Sequence, residues 1–271
     1  MKNMSSHSYS SDNLPDGLVG LKTEAGKALL DSSNVVNEAI IENFQKQEHR
    51  SLCGPVSLLI LINAMNVAYR VKMSAVHKVD ESHDSDTDSD TEKYLEEIEK
   101  RLHSGETLKV SEDEIRHFPR IKGYLDSVAI EKNGLHLSQL QHAADLLGFG
   151  TDCIYATSAS SPLPSSVKLR GNVHKFANVM EFREYGKDQI GKTLAGLIVN
   201  FDMHVVGYEG FPGHFSPLAA YNSDEDMFLV MDTWPDTPSA WIKTEILYKS
   251  MCSIDKDADA PRGLLKIYEL L

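Results

Sequence analysis

The chain is 271 residues long, with 41% hydrophobic residues, 25% charged residues and a formal net charge of -13. That length can bury a sizeable core in one large domain or two small ones, and the acidic balance speaks against nucleic acid and anionic membrane surfaces as partners. Three cysteines, Cys53, Cys153 and Cys252, form no CxxC pair and no even framework, which argues against structural zinc and disulfides and for a reducing, cytoplasmic setting.

Taken in chain order, residues 1–16 are rich in Ser, Asn and Asp and read as a flexible leader. They hold no basic segment followed by an apolar one, so a conventional secretory signal is not expected, and unconventional secretion is left undecided. Residues 17–43 read as short helical or turn segments. Next comes Phe44-Gln45-Lys46-Gln47-Glu48-His49-Arg50-Ser51-Leu52-Cys53-Gly54-Pro55, followed at once by the apolar run Val56 to Met65. The run is too short for the roughly 20 residues of a membrane span. It reads as a buried helix, with Pro55 tolerated in a first turn that has no use for its missing N–H. Cys53 therefore stands where a loop becomes a helix, and the partial positive charge of a helix N-terminus favours a thiolate there. Taken alone, this feature fits an inert core thiol as well as a nucleophile.

A low-complexity acidic run, His83-Asp84-Ser85-Asp86-Thr87-Asp88-Ser89-Asp90-Thr91, marks an insert at about 80–113. Such self-repelling runs stay solvated. Read as a calcium loop starting at Asp86, it supplies Glu97 at the twelfth position but has Thr91 where the sharp turn requires glycine. Glu92 to His103 is expected as an amphipathic helix with Tyr94, Leu95, Ile98 and Leu102 on one face. Leu135 to Gly148 reads as a further helix, with Ser138 near its start and Gly148 closing it.

Strand-like runs follow at Asp152–Ala156, Ala195–Asn200, His214–Tyr221, Met227–Asp232 and Leu264–Leu270, with a helix near Lys187–Leu194. Helices first and mainly antiparallel strands afterwards predict an α+β fold with a site between a helical half and a sheet half. The third and fourth strands flank Asn222-Ser223-Asp224-Glu225-Asp226 and form a hairpin. His214 and Asp232 are equidistant from Ser223, so a symmetric hairpin sets them opposite each other, roughly 5 Å apart at Cβ. An aspartate so placed can hold one imidazole nitrogen and leave the other for a sulfur. His204 has no such relation to a carboxylate, and His49 sits on the approach loop. Gln47, six residues before the cysteine, can bring its amide beside the Cys53 backbone N–H as a second oxyanion donor; a solvated loop glutamine explains it equally. Trp234 and Trp241 fit either a cleft lining or the core.

These blocks resemble the phytochelatin synthase family: Phe44 to Gln47 ending in Cys53-Gly54, then Gly134-Leu135, Gly213-His214-Phe215-Ser216-Pro217 to Tyr221-Asn222, Asp226-Met227 to Asp232, Trp241, and Arg262-Gly263. The resemblance spans most of residues 38–270. It implies a papain-like fold, one catalytic domain over residues 17–271, with the helical half carrying the nucleophile and the antiparallel sheet half carrying the histidine and aspartate. It also implies Cys53 as nucleophile, His214 as general base and acid, Asp232 as its orienter and Gln47 as oxyanion donor. The implied reaction cleaves the Cys-Gly bond of glutathione, or of a glutathione conjugate, through a γ-glutamylcysteinyl thioester. Acylation then needs no cofactor, cadmium or zinc entering as the metal thiolate of an acceptor glutathione; no metal ligands are assigned, and a homodimer is compatible. The family's cysteine-rich C-terminal region is not in this sequence, which aligns it with short prokaryotic-type forms that mostly hydrolyse. Its arginine three residues after the aspartate is replaced by Pro235. A papain-like protease acting on a protein or peptide, and a non-catalytic relative that holds thiol peptides or metal, stay open as alternatives.

Overall fold

The computed structural model describes residues 8–76, 96–98, 100, 101, 103, 104, 107–158, 162–164, 172–209 and 213–270. Among them the chain runs through α1 (Glu24–Asp31), α2 (Glu38–Glu42), α3 (Cys53–Ala64), α4 (Ala68–Val76), α5 (Glu112–His117), α6 (Pro119–Ser127), α7 (Ile130–Asn133), α8 (Leu137–Leu146), α9 (Val179–Ile190), α10 (Met203–Val206) and α11 (Thr244–Met251). The strands are β1 (Val19–Gly20), β2 (Val35–Val36), β3 (Gly150–Ala156), β4 (Asn172–Phe176), β5 (Ala195–Asp202), β6 (Gly213–Asn222), β7 (Met227–Val230), β8 (Ala240–Lys243), β9 (Ile254–Asp255), β10 (Ala260–Pro261) and β11 (Gly263–Tyr268). One sheet runs β1-β8-β7-β6-β5-β11-β3-β4, with β2 also on β6. It is antiparallel throughout except for the β3–β4 pair.

The central strands are apolar on both faces because each face has a helical layer to cover it. On β5, Ile198 joins the core around α3 and α8, whereas Leu197, Val199 and Phe201 join the core under α9 and α11. Alternation recurs on β3, where Cys153 and Tyr155 face the first core and Ile154 and Ala156 the second. Within the first of these layers α3 is apolar all round, as a helix enclosed by protein must be, and every residue from Cys53 to Asn63 is buried. It packs on β6 and β5, and the chain turns away at Asn66, which adopts φ +56.

Several sequence expectations shift. Residues 8–16 are docked rather than flexible: the Tyr9 N–H donates to the Asp236 carbonyl (2.8 Å), the Tyr9 ring meets Tyr208 edge-on at 4.9 Å, and Leu14 packs against the second core. Two apolar anchors outweigh the polar average of the segment. The helix expected near Lys187–Leu194 is α9, which begins eight residues earlier because the Asn178 side chain caps the Glu181 N–H (3.0 Å). Ser138 is near the start of α8 as expected, and the cap is His136, whose N–H donates to the Gln139 side chain (2.9 Å). The insert ends before 113, since Leu108 and Val110 are core residues. The run His83–Thr91 and the calcium-loop reading at Asp86 lie outside the described residues; the described part of Glu92–His103 is helical.

The hairpin register also differs. Asn222 pairs with Met227 and Tyr221 with Phe228, then an irregularity between Leu218 and Ala220 shifts the ladder so that Leu218 faces Val230. Continued along the strands, this register would set Asp232 beside Ser216. A symmetric hairpin would centre its turn on Ser223, but the turn spans residues 223–226. β7 ends at Val230, Met231 makes a last bond to the Pro217 carbonyl (2.9 Å), and Asp232 leaves the sheet.

The buried Asn63 side chain ties the chain's return from the insert to α3, accepting from the Val110 N–H (2.7 Å) and donating to its carbonyl (3.0 Å). Asn63→Leu should therefore leave both backbone groups without partners and lower stability by about 1–3 kcal/mol. Urea unfolding measures this, and an unchanged midpoint would show that the return is anchored elsewhere.

Candidate active site

Cys53 opens α3 with no side chain capping the helix, and the first ladder bond runs from the Val56 N–H to the Leu52 carbonyl (2.9 Å). Pro55 has no N–H, so the amides of Cys53 and Gly54 are the orphan donors of this terminus. Because α3 packs on β6, its first residue comes up against the start of that strand, where His214 is buried. His214 is within hydrogen-bonding reach of Cys53, and its Nε2 donates to Asp232 Oδ1 at 2.9 Å. That leaves Nδ1 for the sulfur. The structure thus brings Cys53, His214 and Asp232 together, although by a route other than the hairpin register.

Burial opposes the imidazolium, but the Asp232 carboxylate and Cys53 outweigh it and push the His214 pKa up to about 10. For Asp232, burial would raise the pKa; the facing imidazolium, the Lys46 ammonium and the Trp234 N–H (2.8 Å) together hold it below the usual carboxylate range.

The segment carrying Asp232 is stitched to the loop that leads to Cys53. Lys46 Nζ donates to the carbonyls of Asp232 (2.7 Å), Trp234 (2.9 Å) and Thr237. The Gln47 N–H donates to the Thr233 carbonyl (2.8 Å), and the Thr233 hydroxyl donates to Gln47 Oε1 (3.0 Å). The Gln47 amide nitrogen donates to the carbonyls of His49 and Arg50, both at 2.9 Å. Its two N–H bonds are thus engaged inside the loop, and Gln47 is absent from the cavity wall.

His49 belongs to another device. The buried Glu112 carboxylate accepts from the N–H groups of Glu48 (2.7 Å) and His49 (3.1 Å) and from His49 Nδ1 (2.8 Å), while Arg116 closes on His49 Nε2 (3.1 Å). His204, which the spacing left without a carboxylate, lies 3.8 Å from Asp202. Trp241 is a core residue donating to the Gly26 carbonyl (3.0 Å). Cys153 is a buried thiol whose pKa is pushed up to about 12 by burial, and Cys252 is half-buried.

A cavity of about 940 Å³ opens on Cys53 and His214. Trp234 lines it, as do the charged residues Arg50, Asp255 and Arg262. Arg262 is buried and paired with Asp255 (2.7 Å), while its Nε has no partner. Gly213 makes room for it, because a Cβ there would come within 2.8 Å of the guanidinium. Neither Lys46 nor Glu112 carries a local sequence signal for its role, since their partners are 186 and 64 residues away. Among the described residues no group of three or more His, Cys, Asp or Glu side chains is placed to hold a metal ion.

A helix-start cysteine beside a histidine that a buried carboxylate holds, on the wall of a cavity, has the parts of an enzyme that works through a cysteine nucleophile. A family model described as phytochelatin synthase matches residues 9–264, and the chain belongs to that family of enzymes. It is similar to "Glutathione gamma-glutamylcysteinyltransferase" of Schizosaccharomyces pombe, 32% identical over 95 residues that cover 34% of this chain and 23% of the relative. It is also similar to "Glutathione gamma-glutamylcysteinyltransferase 2" of Arabidopsis thaliana, 29% identical over 92 residues (34% and 20%). The matched part thus spans about a fifth of these relatives' length. No described helix is long and apolar enough to cross a membrane.

Two outcomes follow from the electrostatics. The His214 pKa in the fold stands above the ordinary 6.5, so its contribution to stability is present below about pH 6.5 and is lost as the pH rises through about 10. NMR of the ring should show the cation persisting through neutrality in the native protein, and Asp232→Asn should move the titration down towards 6.5; coincident titrations would mean that Asp232 does not hold the ring. Lys46→Met should free the 232–237 segment and lower kcat by about tenfold while Cys53 remains in place, which steady-state kinetics and thiol labelling separate.

Proposed function

We propose that the protein is a papain-like cysteine acyltransferase or hydrolase that cleaves the Cys-Gly bond of glutathione. The observation that carries this reading is His214, buried, bonded to Asp232 and within reach of Cys53 at the wall of the cavity. The placement of a helix-borne cysteine against a sheet-borne histidine supports the papain-like assignment.

In this reading the Cys53 sulfur attacks the carbonyl between cysteine and glycine, with the His214 cation as its counter-charge. The C–N bond breaks as His214 gives its proton to the departing glycine nitrogen, and a γ-glutamylcysteinyl thioester remains. Water then releases γ-glutamylcysteine, or a second glutathione, free or as a cadmium or zinc thiolate, takes the acyl group and extends the chain. Developing negative charge on the carbonyl oxygen falls to the orphan N–H groups at the start of α3. The volume of about 940 Å³ is at the upper end of the roughly 300–1,000 Å³ usual for small ligands. The buried Arg262–Asp255 pair suits the neighbouring α-carboxylate and α-ammonium of the glutamyl end.

Gln47 serves as the second oxyanion donor by exchanging one loop carbonyl for the oxyanion. On that role Gln47→Ala lowers kcat by about 10²-fold or more with little change in stability. A loss of thermal stability matching the loss of rate assigns the side chain to holding the loop instead.

The direct test incubates the protein with glutathione, with and without cadmium, and reads products by mass spectrometry beside Cys53→Ala. Glycine with γ-glutamylcysteine identifies the hydrolase, and longer γ-glutamylcysteine chains identify the synthase. Absence of any product that depends on Cys53 would sink the glutathione reading.

A further inference from the structure

Three cations on the cavity wall, Arg50, Lys132 and Lys256, have no carboxylate partner among the described residues. All three are exposed, and Lys132 and Lys256 stand on no aromatic face among the described residues. Arg50 differs: its guanidinium carbon lies over the Trp234 ring, 6.0 Å from the centroid, and that ring meets His214 edge-on at 6.2 Å. A cation over an indole is held in place electrostatically, and the planar fork keeps its N–H edges free for an anion. Both supports are themselves fixed. The Trp234 N–H donates to Asp232 (2.8 Å) and its carbonyl accepts from Lys46 (2.9 Å), while the Arg50 carbonyl accepts from Gln47 (2.9 Å). Arg50 is therefore tied to the nucleophile loop through its backbone and to the neighbourhood of the general acid through its side chain.

The two ends of glutathione differ in charge. The glutamyl end is a zwitterion and the glycine end is a lone carboxylate. The cavity has a paired end at Arg262 and Asp255, and an unpaired arginine at Arg50. The glycine nitrogen must lie at His214 to receive its proton, and the carboxylate is only two bonds further on, within reach of a cation held beside the imidazole, as Arg50 is through Trp234. Resting on the glutathione reading above, we propose that Arg50, seated on Trp234, binds the carboxylate of the departing residue and so selects substrates with a free C-terminus one residue after the scissile bond.

The test compares glutathione with the same tripeptide bearing a glycinamide end, in wild-type, Arg50→Ala and Arg50→Lys proteins. The wild type should favour the free acid by about ten- to a hundredfold in kcat/KM, the range of a charge-assisted hydrogen bond. Arg50→Ala should lose that preference, mainly through KM for glutathione, with the amide little changed, while Arg50→Lys keeps part of it. Unaltered alkylation of Cys53 by iodoacetamide in Arg50→Ala shows an intact nucleophile, and a preference lost on that background supports the proposal. An acid preference that survives in Arg50→Ala, or a wild type indifferent to the two substrates, overturns it while leaving the glutathione reading standing. Failure of the wild type to release glycine or glycinamide in a Cys53-dependent way overturns both.

Discussion

The burial of the Asp232 carboxylate is the constraint on which the rest of the site depends. Removing an ionised carboxylate from water is costly unless partners replace the lost hydration. Here one oxygen accepts from His214 and from the Trp234 amide, and the Lys46 ammonium stands nearby. Each partner restricts a different part of the chain. The histidine pins the start of β6, the amide fixes the turn after β7, and Lys46 binds that turn to the loop before Cys53. A single buried charge thus sets the distance between the sheet that carries His214 and the loop that leads to Cys53. Breaking such a pair on one side typically costs about 3–5 kcal/mol, because the remaining charge is left without compensation.

The same economy of polar groups explains how the helical layer is held. The two-residue approach of Glu48 and His49 is captured by Glu112, which belongs to the first turn of α5, just after the chain returns from its acidic insert. Asn63, one residue before the end of α3, secures the return at Val110. The segment from Val110 to Glu112 therefore braces both α3 and the loop that leads to Cys53. A carboxylate receiving two backbone N–H groups and an imidazole is a stiff support, and stiffness here keeps the sulfur aligned with His214 without a covalent restraint.

Much of this was legible in the linear text. The helix after Cys53 follows from an unbroken apolar run with proline in its first turn, and five strands follow from β-branched and aromatic runs between turn residues. Cys53, His214 and Asp232 could be chosen from residue type, spacing and family resemblance. The hairpin geometry could not, because a four-residue turn and a ladder irregularity near Ala219 displace the register, and neither changes the composition of the strands. Nor could the state of Gln47, whose amide engages carbonyls two and three residues on. Lys46 and Glu112 stayed silent because a role set by contacts across 186 and 64 residues leaves no local period or motif. The docked leader was missed for a related reason: Tyr9 and Leu14 are isolated apolar residues whose pockets are built by distant strands and loops.

By itself, the sequence determined the chemistry available: a thiol at a helix start, a histidine and an aspartate on either side of one hairpin turn, an acidic balance and apolar runs for a sheet. These are properties of residue type and short-range periodicity, which the chain carries wherever it goes. Only the tertiary structure decided how that chemistry is aimed. Which imidazole nitrogen meets the carboxylate, which loop braces it, where the unpaired arginine stands and how large a space lies before the sulfur all depend on contacts between distant segments. Those contacts exist once the buried charges have found their partners.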